Sequence, residues 1–329
     1  MKKSTKGYLP MRIQARPGSP AEQYYLKGGL PSGWAVPAAL APGIAPSPID
    51  DLIFHGGKIV PQMEFQNVYL GGDSAWRASD VSSIDRAIKL AMQFKRLNNV
   101  LAQYFPGEKL SCDARQSLVA PGPAPAQLDE PDVQATVIEL FQQSLISKSD
   151  LDTCIFNLIL PPGTVLKLGS SSSLRGLGGY HGSVHFKSGG KALTLYYSAN
   201  VYSQILEDGT ENGIVAFNRP WKNVVGTLYH ELNEFRTDAD VNDAIEHNDD
   251  DFLGWNSRRG SEIGDQPIFA TGGDLRLVFK EVSVGAGKKA PVQFLYSNAA
   301  HGAEGPISAP HVPAFTAKKT AKKKSKPRR

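Results

Sequence analysis

Apolar residues recur at three- and four-residue spacing in several parts of the chain, which is the period of an amphipathic helix. The longest such stretch runs from Val81 to Met92. Ser79 or Asp80 is a candidate capping residue in front of it, and the pattern predicts a helix that reaches about Tyr104. Three further helices are predicted, over residues 129–143, 223–236 and 238–246. The helical pattern is therefore spread along the chain rather than confined to one end.

Short continuous apolar runs bounded by glycine or proline predict strands between these helices. The clearest is Cys154–Leu160, which ends at Pro161-Pro162-Gly163. Other strand-like runs cover residues 52–54, 65–70, 165–168, 275–284 and 291–296. Residues 193–205 predict a strand, or a strand that leads into a helix. Helices and strands in this order predict an α+β fold, in which a mixed β-sheet packs against helices.

Glycines surround the pair Tyr180-His181, at positions 176, 178, 179 and 182. Because glycine has no Cβ, this density predicts a loop whose backbone approaches another group closely. The spacing lacks the G-x-G-x-x-G pattern, the following helix and the lysine of nucleotide-binding loops. We therefore expect this segment to border a site without binding phosphate.

The two ends of the chain differ from its centre in composition. Residues 1–48 are rich in proline and glycine and have no sustained apolar period, so they predict an irregular arm. Residues 313–329 include a lysine-rich run that starts at Lys318, and they predict a disordered tail. A single α+β metal-site domain is predicted over residues 49–312.

The formal net charge of +4 combines basic ends with an acidic centre. Basic residues concentrate in the first 48 residues and in the tail, so the central domain has more acidic than basic residues. A protein that reads nucleic acid carries its positive charge on the folded surface, so that main function is disfavoured. For the tail, three roles stay open: solvation, salt-sensitive contact with a polyanion, and nuclear localisation.

The hydropathy pattern predicts no membrane span, because no apolar run approaches the roughly 18 residues that a span needs. A mixed polar segment separates the first lysines from the apolar stretch after Gly33, so no secretory signal is predicted. Cys112 and Cys154 are too few for a disulfide framework and indicate a reducing compartment. We therefore expect a cytoplasmic protein.

One segment carries a pattern suited to catalysis, the H-E-x-x-E motif His230-Glu231-Leu232-Asn233-Glu234. Residues four apart on a helix lie one turn above each other, so His230 and Glu234 can reach one cation. Glu231 lies about 100° round the helix, where it can deprotonate water without binding the metal. H-E-x-x-H zinc hydrolases use this arrangement, with histidine in place of Glu234. Nitrogen and oxygen ligands suit Zn²⁺, and also Mn²⁺ or Fe²⁺.

A third ligand is expected about thirty residues downstream, where Glu262 and Asp265 lie in the tetrapeptide E-I-G-D. Either carboxylate could bind the metal. Asp265 could instead accept a hydrogen bond from the second ring nitrogen of His230. The alternative is an exposed helix on which His230 and the two glutamates are surface groups without a shared role.

Several motifs together resemble the exordium (phosphate-induced) protein family and its bacterial relatives. In order, they are His230–Asp238, Gly254-Trp255 and Glu262–Asp265, preceded by Phe54–Gly57, Leu160–Gly163 and Gly179–His181. These upstream segments are similar to the family's H-G-G, P-P-G and G-Y-H segments. The resemblance spans roughly residues 52–300 and implies a zinc-peptidase-like site. The plant members are best known as secreted growth-related proteins without an assigned reaction.

The chain also departs from the pattern of the secreted relatives. Those relatives usually place a cysteine directly after E-I-G-D, where this chain has Gln266-Pro267. Cysteines near the G-Y-H segment are missing as well. Both differences favour a protein that is not secreted.

These observations predict a zinc-dependent hydrolase with a zincin-like fold and a peptide or protein substrate. His230, Glu234 and either Asp265 or Glu262 would bind Zn²⁺, and Glu231 would activate water. His181, Tyr180 and His55 are candidates for positions beside the metal or the substrate. Two alternatives stay open: a non-catalytic binding or signalling domain with a structural or lost metal site, and a protein that acts through its basic tail.

Overall fold

Strands and helices are interspersed along residues 40–311, which are the residues described by the structure, a computed structural model. The helices are α1 (Ala78–Gln93), α2 (Lys95–Leu101), α3 (Glu130–Gln142), α4 (Pro220–Thr237), α5 (Val241–His247) and α6 (Asp265–Ala270). The strands are β1 (Leu52–Phe54), β2 (Gln62–Tyr69), β3 (Ser111–Ala114), β4 (Leu118–Val119), β5 (Gln127–Leu128), β6 (Cys154–Ile159), β7 (Val165–Leu168), β8 (Ser171–Ser172), β9 (Gly179–Ser188), β10 (Lys191–Asn200), β11 (Gln204–Ile205), β12 (Glu211–Asn212), β13 (Trp255–Ser257), β14 (Phe279–Ser283), β15 (Lys289–Gln293), β16 (Leu295–Ser297) and β17 (Gly302–Glu304). The predicted α+β class is confirmed.

A six-stranded mixed sheet forms the centre of the fold. Its strands follow the order β3-β2-β6-β10-β9, and β4 also pairs with β2. The pairs on the β3 side and the β6–β10 pair are parallel, whereas β9 pairs antiparallel with β10. Every residue of β6 is buried, as expected for a parallel strand that is covered on both faces.

Helices cover both faces of this sheet. Ile155 and Ile159 of β6 belong to the hydrophobic core that includes α1 and α4. Phe156 and Leu158, which point the other way, belong to the core that includes α3. Successive side chains of a strand point to opposite faces, so the uninterrupted apolar run of β6 serves both cores.

The helix predicted over residues 79–104 is divided. Phe94 is extended, with ψ 111°, and separates α1 from α2, while residues 102–104 form a 3₁₀ turn. Asn98 donates from Nδ2 to the carbonyl of Met92 at 3.0 Å, which satisfies one of the carbonyls left at the end of α1. Met92 and Leu97 pack in the same core, so the apolar period continues across the break.

The glycine-rich segment around His181 is a strand, which corrects the predicted loop. β9 begins at Gly179 and pairs with β10 along ten residues. The predicted close approach is present nevertheless. A Cβ on Gly179 would lie 2.7 Å from the carbonyl oxygen of Ala199 and 3.1 Å from Oε1 of Glu231. Glycine at this position therefore lets β9 lie directly against α4.

The described part of the predicted N-terminal arm packs on the central domain. Leu40 forms an isolated β-bridge with Glu304, and the amide of Ser47 donates to the carbonyl of His301 at 2.7 Å. The remainder of the predicted arm and the whole of the predicted tail lie outside the described residues. Within residues 40–311, no helix is both long enough and apolar enough to cross a membrane.

Candidate metal centre

Helix α4, which carries the H-E-x-x-E motif, is buried along most of its length. Pro220 occupies its first turn, where the missing amide proton costs no helical hydrogen bond. The helix packs against α1, β9, β10 and β15. His230, Glu231 and Glu234 are all buried. The alternative of an exposed helix is therefore wrong.

His230 is oriented by Gln293, the last residue of β15. Nδ1 of His230 lies 2.9 Å from Oε1 of Gln293, and Nε2 of Gln293 donates to the carbonyl of Gly264. The carbonyl can only accept, so it fixes the amide of Gln293 with its oxygen toward His230. Nδ1 of His230 therefore carries the proton, and the lone pair of the neutral ring is on Nε2.

Carboxylates gather around Nε2 of His230. Oε2 of Glu234 lies 2.9 Å away, Oδ1 of Asp265 lies 3.9 Å away, and Oε1 of Glu231 lies 3.9 Å away. The backbone amides of Gly264 and Asp265 donate to the other oxygen of Glu234, at 3.1 and 3.2 Å. Glu234 is thus held by one oxygen and presents the other to the space in front of His230.

His181 approaches the same cluster from β9. Its Nε2 lies 3.1 Å from the carbonyl oxygen of Asp238. Its Nδ1 lies 3.5 Å from Oε2 of Glu231 and 3.7 Å from Oε2 of Glu234. Glu262 places Oε1 3.7 Å from Nε2 of His181. Of the two downstream acids, Asp265 therefore lies beside His230, and Glu262 lies beside His181.

The side chains of this cluster form two groups. Within each group, all the potential ligand atoms lie within 4.8 Å of one another. One group is His230, Glu234 and Asp265, and the other is His181, Glu231 and Glu234. Both groups combine imidazole nitrogen with carboxylate oxygen, which is the donor set of zinc and of related divalent metals. These buried residues could therefore hold a metal ion, as the sequence predicted in general terms. His181 enters as a candidate ligand, a role that the sequence did not assign to it.

Burial also shifts the titration of the carboxyl groups. Loss of hydration raises the pKa of Glu231 and Glu262, and it raises the pKa of Asp238 and of Asp265 to about 7. Burial also opposes ionisation of Glu234, but the adjacent His230 outweighs it and lowers the pKa of Glu234. A cation among these groups would relieve the cost of ionising them.

Two buried oxygen atoms bear directly on whether a cation fits. Oε2 of Glu231 and Oε1 of Glu262 accept no hydrogen bond from any residue in the described part of the chain. Buried polar atoms are normally hydrogen-bonded, so each calls for a partner. Oε2 of Glu231 faces Nδ1 of His181, the ring nitrogen with the lone pair, whereas Oε1 of Glu262 faces Nε2, the nitrogen that donates to Asp238. The residues present therefore fit a divalent cation.

The cluster is open on one side only. The side chain of His181 is 2% exposed and that of Glu234 is 4% exposed, whereas that of Asp265 is 39% exposed. Glu262 and His230 lie between these extremes. A ligand from solvent would therefore reach the group with Asp265 first.

The other predicted site residues lie apart from this cluster. Tyr180 points to the opposite face of β9 from His181 and packs edge-on against Tyr197, at 6.1 Å between ring centroids. His55 lies at the β1–β13 pair, where its amide donates to the carbonyl of Gly254, and burial lowers the pKa of its ring. Neither residue belongs to the groups of metal-ligand geometry found among residues 40–311.

Three contributors to the site had no role in the sequence analysis. Gln293 lies on a strand 63 residues beyond His230, and no pattern in the sequence connects the two. Asp238 and Gly264 stood within the motifs, but they act here through backbone groups. The glycine of E-I-G-D is the one signal that could have been used, because it allows a close backbone approach.

Comparison of the chain with protein-family models, with curated proteins and with solved structures finds no match.

Proposed function

We propose that this protein is a zinc-dependent hydrolase that cleaves peptide bonds. His230, Glu234 and Asp265 would hold the cation, and Glu231 would act as the general base. The observation that carries this proposal is the approach of three carboxylates to Nε2 of His230, with Glu234 at 2.9 Å. Glu231 is the carboxylate among them whose spacing on the helix suits a base rather than a ligand.

A divalent cation at this position would lower the pKa of water and polarise the carbonyl group of a substrate. The residues of the chain would supply the remaining functions. Glu231 would take a proton from the attacking water and return it to the leaving amine. Gln293 would keep the lone pair of His230 directed into the site, and Gly264 would hold Glu234. Substrate would enter beside Asp265, the most exposed wall.

We also propose that the chain is related to the exordium family. The support is a contact between two of the motifs on which the resemblance rests. The amides of Gly264 and Asp265, within E-I-G-D, donate to Glu234 of H-E-x-x-E. The zincin-like character of the fold and a cytoplasmic location belong to the same set of proposals.

One observation favours the alternative of a non-catalytic domain with a structural metal. Structural zinc sites are closed, whereas catalytic sites keep a position open. The side chain of Glu231 is only 3% exposed. Against this alternative, the exposed edge of Asp265 leaves a path from solvent to the His230 group.

The test compares the wild type with Glu231→Gln and His230→Ala. Zinc content would be measured by mass spectrometry, and cleavage would be followed with a peptide library. We expect Glu231→Gln to retain zinc at His230 and to lose at least about 10²-fold in turnover, because general-base catalysis contributes about 10²–10⁴-fold. We expect His230→Ala to lose that zinc.

A matched control is Glu207→Gln, which makes the same change on an exposed turn. It should leave both zinc content and cleavage unchanged. Retention of all zinc by His230→Ala would refute the assigned site. Zinc binding by the wild type without cleavage of any peptide would favour the non-catalytic alternative.

A further inference from the structure

We propose that His181, Glu231 and Glu234 bind a second divalent cation, on the inner side of the cation assigned to His230. The inference rests on the proposed function for that first cation. His181 lies on β9 and the two glutamates lie on α4, so the second position is formed where the central sheet meets the motif helix. It is the most enclosed part of the cluster, since the side chain of His181 is 2% exposed.

The hydrogen bonding of His181 directs its lone pair at the two glutamates. The carbonyl oxygen of Asp238 can only accept a hydrogen bond, so Nε2 of His181, 3.1 Å away, must donate. In the neutral ring, Nδ1 is then unprotonated. Nδ1 lies 3.5 Å from Oε2 of Glu231 and 3.7 Å from Oε2 of Glu234. Three lone-pair atoms thus converge, and a cation among them would offset their mutual repulsion.

An independent sign of a missing partner is the oxygen Oε2 of Glu231. The side chain is 3% exposed, and this atom accepts no hydrogen bond from any residue between 40 and 311. Its separation from Nδ1 of His181 exceeds an ordinary charge-assisted hydrogen bond. Separations of this size are those of two ligands on one metal ion, each about 2.0–2.2 Å from it.

One ion cannot serve both histidines. Ligands at about 2.0–2.2 Å from one ion lie no more than roughly 4.4 Å apart. Among the described residues, the groups within a 4.8 Å limit that include a residue of the H-E-x-x-E motif contain either His181 or His230, never both, and Glu234 belongs to each of them. The geometry therefore points to two positions that share one carboxylate. Hydrolases with two metals hold them about 3.5–4 Å apart, which a shared carboxylate allows.

Glu231 can serve both positions with different oxygens. Oε2 faces His181, and Oε1 lies 3.9 Å from Nε2 of His230. The inner cation would bind Oε2 and so fix the direction of Oε1, the oxygen on the side of His230. The ligand set is one imidazole and two carboxylates, which suits Zn²⁺ or Mn²⁺.

The test is metal stoichiometry, measured by native mass spectrometry and elemental analysis after dialysis with Zn²⁺ alone or Mn²⁺ alone. We expect two equivalents per chain in the wild type and one in His181→Ala. Since His181 is buried, that variant is paired with Glu231→Gln, which keeps the shape of the side chain and should also bind one equivalent. Circular dichroism would verify that each variant is folded.

The matched control is His247→Ala. It removes the histidine of another group, Asp243, Glu246 and His247, which lies on α5 and is largely exposed. This variant should keep two equivalents, and loss of one would place the second ion on α5 and overturn the proposal. A wild type that never binds more than one metal ion per chain would also overturn the proposal of a second site. If that protein still cleaves peptides, the proposed function is unaffected. Two equivalents without cleavage would retain the second site and refute the hydrolase.

Discussion

His230 donates a hydrogen bond from Nδ1 to Oε1 of Gln293 across 2.9 Å, although 63 residues separate the two in the sequence. The pair joins the motif helix α4 to strand β15, and Gln293 is fully buried. Residues that hold the outer nitrogen of a metal-binding histidine typically change metal affinity about 10–100-fold when they are replaced. The orientation of His230 therefore depends on a residue outside every motif of the sequence.

We expect Gln293→Leu to weaken zinc binding about 10–100-fold, because His230 would lose the acceptor that fixes its ring. The variant should also lose about 1–3 kcal/mol of unfolding free energy, since Nδ1 of His230 and the carbonyl of Gly264 become unsatisfied. Competition with a chromophoric chelator would measure the zinc affinity. Urea unfolding of the metal-free protein would measure the unfolding free energy. Gln143→Leu, on the exposed end of α3, is the control. Unchanged affinity in Gln293→Leu would refute the orienting role.

Gly264 provides a second test of how the ring of His230 is held in place. A Cβ at this position would lie 2.4 Å from Nδ1 of His230, so alanine must displace the ring or the backbone that holds Glu234. We expect Gly264→Ala to lose zinc binding and about 1–3 kcal/mol of stability, as for other overpacked sites. Gly302→Ala is the control, because its Cβ would meet only Leu40, at 3.4 Å. Full zinc affinity in Gly264→Ala would show that the ring can move without consequence.

Two local patterns located most of the candidate site. The four-residue spacing of His230 and Glu234 fixes their common face, and E-I-G-D supplied Asp265. The hydrogen bond from Gln293 was not predictable, because it depends on how β15 packs against α4. The same holds for His181, whose strand reaches the site only through its pairing with β10. The positions of Gln293 and His181 in the site therefore depend on long-range packing, which the periodicity of the sequence does not predict.

Some elements of the fold were likewise predictable from the sequence, and others were not. Periodicity located α3, where Asp129 and Asp132 form a capping box, and it located the buried strand β6. The break at Phe94 was missed because the apolar face continues across it. The strand at Gly179 was missed because glycine is rare in strands, and here it is needed for contact with α4.

Because of the buried carboxyl groups, we expect the folding stability of the metal-free protein to fall as the pH rises, and the stabilisation by bound metal to increase. Burial raises the pKa of Asp238 to about 7 and also raises the pKa of Glu231 and Glu262, so the folded protein retains protons that the unfolded chain releases above its ordinary carboxyl pKa of about 4. Folding stability from these groups is complete below that value and falls as the pH rises toward 7. The raised pKa of His230, caused by the adjacent Glu234 against the effect of burial, continues the loss above pH 6.5.

We therefore expect the metal-free protein to melt at a lower temperature at about pH 7.5 than at about pH 5.5. Zinc should have the reverse dependence, because cations bind the deprotonated ligands and compete with protons. The increase in Tm on adding zinc should be larger at the higher pH. Differential scanning fluorimetry of dialysed protein, with and without Zn²⁺, measures all four conditions. An equal increase in Tm at both pH values would contradict the proposed ligands.

The choice between Asp265 and Glu262 as third ligand can be decided by matched amide substitutions. Oδ1 of Asp265 lies 3.9 Å from Nε2 of His230, the nitrogen with the lone pair, whereas Oε1 of Glu262 faces the nitrogen of His181 that donates to Asp238. Two ligands of one metal ion each direct a lone pair at that ion. Asp265 lies near the lone pair of His230 and can share its cation, whereas Glu262 cannot.

We expect Asp265→Asn to weaken zinc binding at His230 by at least about tenfold, because an amide oxygen lacks the carboxylate charge that a zinc ligand supplies. Glu262→Gln should change that affinity much less, since Oε1 of Glu262 contacts Nε2 of His181 and no ligand of the cation at His230. Isothermal titration calorimetry with Zn²⁺ on both variants gives the comparison, and a larger loss in Glu262→Gln than in Asp265→Asn would reverse the assignment.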